Sequence, residues 1–208
     1  MGEDTTELAR VKVGSRVSLP PATKKGEMSV EEAVARRRSV RDFTADALSL
    51  AEISQLLWSA HGLTSAEGLR AAPSAGACYP LEVYLACEQG LFRYQPSEHA
   101  LVKVSDADPR QPLAEAAYGQ FFISDAAVSI IFAAVYERTT ARYGDRGIRY
   151  VHMDIGHAAQ NVHLQAEALG LASVPVGAFD DSAVASVLSL PAEEKTVYIV
   201  PVGRPARG

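Results

Sequence analysis

Apolar residues along the chain fall into two periods, one helical and one extended. In SLAEISQLLWSAHG, Leu50, Ile53, Leu56, Leu57 and Ala60 recur at the helical spacing. Ser49 and Glu52 form a capping box at its start, and Gly62 suits its stop. A second box, Ser29 with Glu32, opens SVEEAVARRRS, a predicted helix of about ten residues. The longest helical pattern is IRYVHMDIGHAAQNVHLQAEALG, with Val151, Ile155, Ala158, Val162, Ala166 and Leu169 on one face and an end at Gly170. PLAEAAYG reads as a short helix, the pattern from about Tyr136 turns helical, and DSAVASVLSL reads as a helix capped by Asp181 or Ser182.

Between these lie extended runs. LEVYLAC, CEQGLFRY and ALVKVS read as antiparallel strands turning at Gln89-Gly90 and at Pro96-Ser97-Glu98. AAVSIIFAAV is apolar on both faces, as a central strand must be, and KTVYIVPVG is the last strand. The expected class is α+β, a mainly antiparallel or mixed central sheet flanked by helices. Residues 1–27 read as an extended arm and 28–208 as a single domain.

Composition narrows the function classes. The 208-residue chain carries 20 Lys+Arg against 25 Asp+Glu, a net charge of −5, which gives no general attraction to nucleic acid or anionic lipid. The longest apolar run, Ala126 to Tyr136, falls far short of the roughly 20 residues of a membrane span. The opening residues contain no apolar run, so neither a signal peptide nor an anchor is expected. Cys78 and Cys87 match no zinc or disulfide spacing, which suits a reducing, cytoplasmic setting.

Against that acidity, ARRRSVRDF places four arginines within Arg36 to Arg41. One or two are ordinary at a helix C-terminus. Four beside the Ser39 hydroxyl invite an oxyanion, because guanidinium forks and hydroxyls suit phosphate. A nucleic-acid patch is the weaker reading, since no aromatics are interleaved. His152, His157 and His163 are spaced five and six apart, which splays adjacent pairs around a helix, so no metal is expected and solvated or core histidines are the better reading. Ser74 lacks a nucleophile elbow, and no glycine-rich nucleotide fingerprint occurs. Two small-residue loops, APSAGACYP and ASVPVGAF, would let main-chain donors approach a flat ligand.

Together these stretches resemble the nitroreductase family of FMN enzymes over roughly residues 29 to 204. Arg37, Arg38, Ser39 and Arg41 match the motif that holds the phosphate and ribityl chain. Pro73, Ser74, Ala75 and Gly76 resemble the loop that reaches the flavin from a second subunit. Pro175, Val176, Gly177 and Ala178 resemble the turn beside N5. Arg204, with Arg207 behind it, resembles the basic residue that completes the phosphate site. The resemblance implies a homodimer, NADH or NADPH as reductant, a small-molecule acceptor and ping-pong turnover. SAGACYPLEVYL and LLWSAHGLT are similar to the SagB-type dehydrogenase branch. Ala77 stands where the family has Asn, and Arg142-Tyr143 where azoline oxidases have Lys-Tyr, which leaves Tyr143 as candidate proton donor.

Overall fold

The computed structural model describes residues 6–206. Its centre is an antiparallel sheet of seven strands: β1 (Arg16–Ser18), β2 (Leu81–Cys87), β3 (Gly90–Gln95), β4 (Ala100–Ser105), β5 (Val128–Val135), β6 (Ala172–Ser173) and β7 (Glu194–Gly203), in the order β1-β4-β3-β2-β5-β7-β6. The sheet is thus antiparallel throughout its named pairs. Helices α1 (Thr6–Ala9), α2 (Val30–Arg36), α3 (Leu50–His61), α4 (Arg110–Ala116), α5 (Phe122–Asp125), α6 (Glu137–Tyr143), α7 (Arg146–Ala168) and α8 (Asp181–Leu188) surround it.

The apolar run of β5 has its physical reason in two cores. Ile130, Phe132 and Ala134 point toward the side built from α3 and α7, with Ile53, Leu57, Val151 and Val162. Ile131 and Ala133 point the other way, onto Leu113, Ile123, Val184 and Leu188 of α4, α5 and α8. With helices on both faces, a strand has no polar side to show, so alternation disappears.

Both capping boxes form. Ser29 and Ser49 accept from the amides of Glu32 and Glu52, whose carboxylates accept in return from the serine amides. Helix α8 is capped by Asp180, whose side chain accepts from the Ala183 amide at 2.8 Å, not by Asp181 or Ser182. The short helix α5 carried no periodic signal. Within the segment read as an arm, β1 pairs with β4, and Leu8, Val17 and Leu19 are buried in the core of this same chain. Residues 1–5 of that segment lie outside the described residues.

Gly62 does stop α3, but not by a left-handed turn: its φ is −65° and ψ 156°. A Cβ there would overlap the Trp58 side chain and lie 2.8 Å from Trp58 Cα. The Trp58 indole is fixed in place by donating to the Leu63 carbonyl at 3.1 Å. Gly62→Ala should therefore destabilise the fold by about 1–3 kcal/mol, the cost of overpacking. Urea unfolding would measure it, and unchanged stability would rule out the steric account.

Candidate flavin site

The arginine cluster is sorted into separate tasks by the end of α2. Arg36 pairs with Glu32 one turn back at 3.7 Å, an exposed contact worth little. Arg38 folds back and its Nη1 donates to the carbonyls of Ala35 at 2.9 Å and Arg37 at 2.8 Å, closing the helix end. Arg37, half-buried, donates from Nη1 to Nε2 of His163 on α7 at 3.1 Å. Arg41 is exposed, its guanidinium 5.7 Å from the centroid of the Phe122 ring.

His163 is buried, and its Nδ1 lies 2.5 Å from Ser173 Oγ on β6. Arginine can only donate, so Nε2 must be the acceptor and Nδ1 carries the proton. Burial, then the Arg37 charge, hold this imidazole neutral by pushing its pKa down to about 4. From this brace the chain runs on extended. Ser39 bridges to Ser173, and the Val40 amide donates to the Ser173 carbonyl at 3.1 Å. Phe43 lies against Gly203, where a Cβ would come within 2.9 Å of its ring. Ser39 leaves its hydroxyl exposed and without a partner among the described residues.

The turn after β6 lies beside this segment. The Val176 amide is spent on the Ile199 carbonyl at 2.7 Å, and Pro175 has no N–H. The amides of Gly177 and Ala178 are exposed and take no partner among the described residues. Gln120 fixes the turn by donating to the Ala178 carbonyl at 2.8 Å, two residues from the Phe122 that underlies Arg41. Arg204 also reaches this end of the sheet, where its carbonyl accepts from Thr44 at 2.9 Å. Its guanidinium, however, donates to both Glu52 oxygens at 3.1 Å, so the capping carboxylate of α3 holds it. Arg207 lies outside the described residues.

The Pro73–Gly76 loop is elsewhere. Ser74 Oγ donates to Asp154 Oδ2 of α7 at 2.6 Å and accepts from the Tyr79 amide at 3.0 Å. Asp154 is buried, and its pKa is raised by that burial. Gly76 has a φ of 61°, and Ala77 and Tyr79 also sit at positive φ, a strained path held by these bonds. Arg142 donates to the Gly76 carbonyl at 3.2 Å, and a Cβ on Gly76 would lie 2.5 Å from the Tyr143 hydroxyl. Tyr143 therefore belongs with this loop, not with the arginines. Asp154 and His163 are nine residues apart on one helix, about 13.5 Å along its axis. A groove of about 860 Å³ between residues 21–30, α3 and α7 touches none of the expected cofactor residues. Within one chain the two halves of the expected site stay separate.

The arginine half fits a phosphate-tailed planar group. Residues 37–39 offer a braced guanidinium and an exposed serine, and the exposed Gly177 and Ala178 offer two amides without a partner among the described residues. His163 and Asp154 were not among the residues expected here, and nothing local marks them, since their partners lie 126 and 80 positions away.

The nitroreductase family model matches residues 34–204, and the chain belongs to that family of oxidoreductases. A Methanocaldococcus jannaschii protein with a provisional nitroreductase name is 45% identical over 184 residues, covering 86% of this chain and 92% of the relative. A solved Ralstonia eutropha structure, also provisionally a nitroreductase, superposes with a TM-score of 0.85 at 27% identity, covering 100% of this chain and 96% of that one. An NADPH-flavin oxidoreductase of Vibrio harveyi is 30% identical over 114 residues, 51% of this chain and 48% of the relative's length. The fold is that of the nitroreductases.

The neutral His163 carries a sign. Its folded pKa of about 4 lies below the ordinary 6.5, so as pH falls the unfolded chain takes up this proton first. Stability should decline as pH drops from about 6.5 toward about 4. Replacing His163→Gln should flatten that decline, measured by urea unfolding across the pH range. His61, also held neutral by burial with a pKa of about 3, is present in both proteins and cancels. Equal slopes in the two proteins would exclude His163 as the source.

Proposed function

We propose that the chain is an FMN-dependent oxidoreductase, taking hydride from NADH or NADPH and passing it to a small organic acceptor. The observation that carries this reading is the Arg37–Ser39 segment, braced by a neutral histidine, beside a turn with two unused amides at Gly177 and Ala178. The Vibrio harveyi relative's name supports flavin and NADPH. When bound, FMN would supply the two-electron chemistry, and the two substrates would use one face in turn, giving ping-pong kinetics.

The chain's own contribution is binding and electrostatics. Arg37, Ser39 and Arg41 would hold the phosphate and ribityl chain, and the neutral His163 braces Arg37 without offsetting its charge. The Gly177 and Ala178 amides would donate toward the electron-rich edge of the ring, as fixed dipoles that need no reorganisation. Arg204 would add little field as it stands, because the Glu52 carboxylate it is paired with offsets its charge. No general base is required in this half of the site.

A second copy of the chain would bring the Pro73–Gly76 loop to the arginine half. The separation of the two halves within one chain, each pinned to a different level of α7, supports this homodimer. A second reading is SagB-type dehydrogenation of a ring, favoured by Tyr143 and Arg142 against Gly76. There Tyr143 would serve as the proton donor or acceptor, because Arg142 keeps its proton.

A yellow preparation that releases its chromophore on denaturation, and bleaches anaerobically with NADH or NADPH, is the expected result. A colourless chain that takes up no FMN would rule out the flavin reading. Arg37→Ala should weaken FMN binding by about 1.5–3 kcal/mol, the range of a charged hydrogen bond. Arg41→Ala should cost less, because Arg41 is exposed and its charge is screened. Fluorescence titration of the apoprotein would measure both, and unchanged affinity in both variants would exclude this phosphate site. In sedimentation the FMN-loaded species should be a dimer, and a loaded monomer would contradict the shared site.

A further inference from the structure

A separate cavity of about 260 Å³ lies between the end of α3, the start of β2 and the β3–β4 turn. Its titratable lining is His61, Arg70, Glu82, Arg93, Tyr94 and Arg138, none of them assigned to flavin. Two features set it apart from an ordinary packing gap.

The first is unmet hydrogen bonding. His61 is only 3% exposed, yet neither ring nitrogen has a hydrogen-bond partner. Burial, then the Arg70 charge, keep the ring neutral with one N–H to offer; the Leu81 backbone favours that N–H from nearby but does not meet hydrogen-bond geometry with it. The Nε of Arg70 is likewise buried and without an acceptor, while its guanidinium lies 4.7 Å over the Tyr79 ring. Buried donors of this kind are nearly always satisfied in folded proteins.

The second is charge. Arg93 pairs with Glu82 at 2.8 Å and Glu194 at 3.3 Å, and Arg138 pairs with Glu82 at 2.6 Å. Glu194 is itself buried and accepts from the Tyr84 hydroxyl at 2.7 Å. Three guanidinium groups therefore face two carboxylates. The surplus positive charge rests on Arg70, which makes no salt bridge among the described residues.

We propose that this cavity binds a small monocarboxylate, whose oxygens accept from Arg70 Nε and from His61. One negative charge closes the balance, whereas a phosphate dianion would overshoot it by one. A guanidinium fork matches a carboxylate in shape. The volume falls below the range of about 300–1,000 Å³ that drug-sized ligands occupy, which excludes a nucleotide or a peptide. The cavity adjoins the other half of the site, because Arg138 also donates to the Tyr79 carbonyl at 3.2 Å and the Tyr79 amide is bonded to Ser74. The assignment does not depend on the flavin reading.

The test uses the 208-residue chain with acetate, dianionic phosphate and chloride as probes. The readouts are melting temperature and the His61 ring nitrogen resonances, assigned with His61→Gln. Acetate should raise the melting temperature and move the His61 signals saturably, more strongly than phosphate or chloride. Arg70→Gln should weaken acetate binding by about tenfold or more, as expected on losing a charged hydrogen bond. Without acetate it should melt only slightly lower than the parent, since Arg70 Nε has no hydrogen-bond partner to lose and the stacking contact over Tyr79 is a modest one. Absence of a saturable acetate response, an Arg70→Gln variant that still binds, or tighter binding of phosphate would each overturn the proposal. A large loss of stability in acetate-free Arg70→Gln would make Arg70 a structural residue and overturn it too.

Discussion

A single rigid helix sets the distance between the two halves of the site. Helix α7 holds the arginine segment through His163 and the strained loop through Asp154, nine residues apart. A helix cannot bend enough to close a gap of about 13.5 Å. Each half is therefore organised in the folded chain without the other. Under the proposed homodimer, a two-fold arrangement would bring two such halves face to face with one kind of surface.

The brace works because of what each partner cannot do. Arginine cannot accept a hydrogen bond, and a buried imidazole beside a cation resists protonation. Those two constraints leave one tautomer, in which Nδ1–H donates to Ser173 Oγ. The serine in turn lies on β6, whose backbone runs alongside Ser39 and Val40. One small polar chain thus joins helix, strand and the basic segment, and keeps a guanidinium at the surface in a defined pose.

Much of this was legible in the sequence wherever the cause is local. The capping boxes at Ser29 and Ser49 rest on residues three apart, and both form. The two-sided burial of β5 is written in its apolar run, which only Ser129 interrupts. Asp180 was missed as a cap because Asp180, Asp181 and Ser182 all offer the same acceptor within one turn, and only the backbone path chooses among them. Gly62 was named correctly for another reason, since only the packed indole of Trp58 shows why a side chain is excluded there. The roles of His163 and Asp154 were not legible at all. Histidine spacing along α7 argues about metals, and says nothing of an arginine arriving from 126 positions away. The segment before residue 28 looked like an arm because charged residues alternate there with Gly and Pro and no apolar run occurs, so the burial of Leu8, Val17 and Leu19 left no local signal.

Arg38 has a role of another kind. By turning its guanidinium onto the last carbonyls of its own helix, it satisfies groups that would otherwise need water or a guest. The α2 terminus is then self-sealed, and its last turn does not depend on anything bound nearby. The end of this helix is thereby independent of whatever the neighbouring arginines hold.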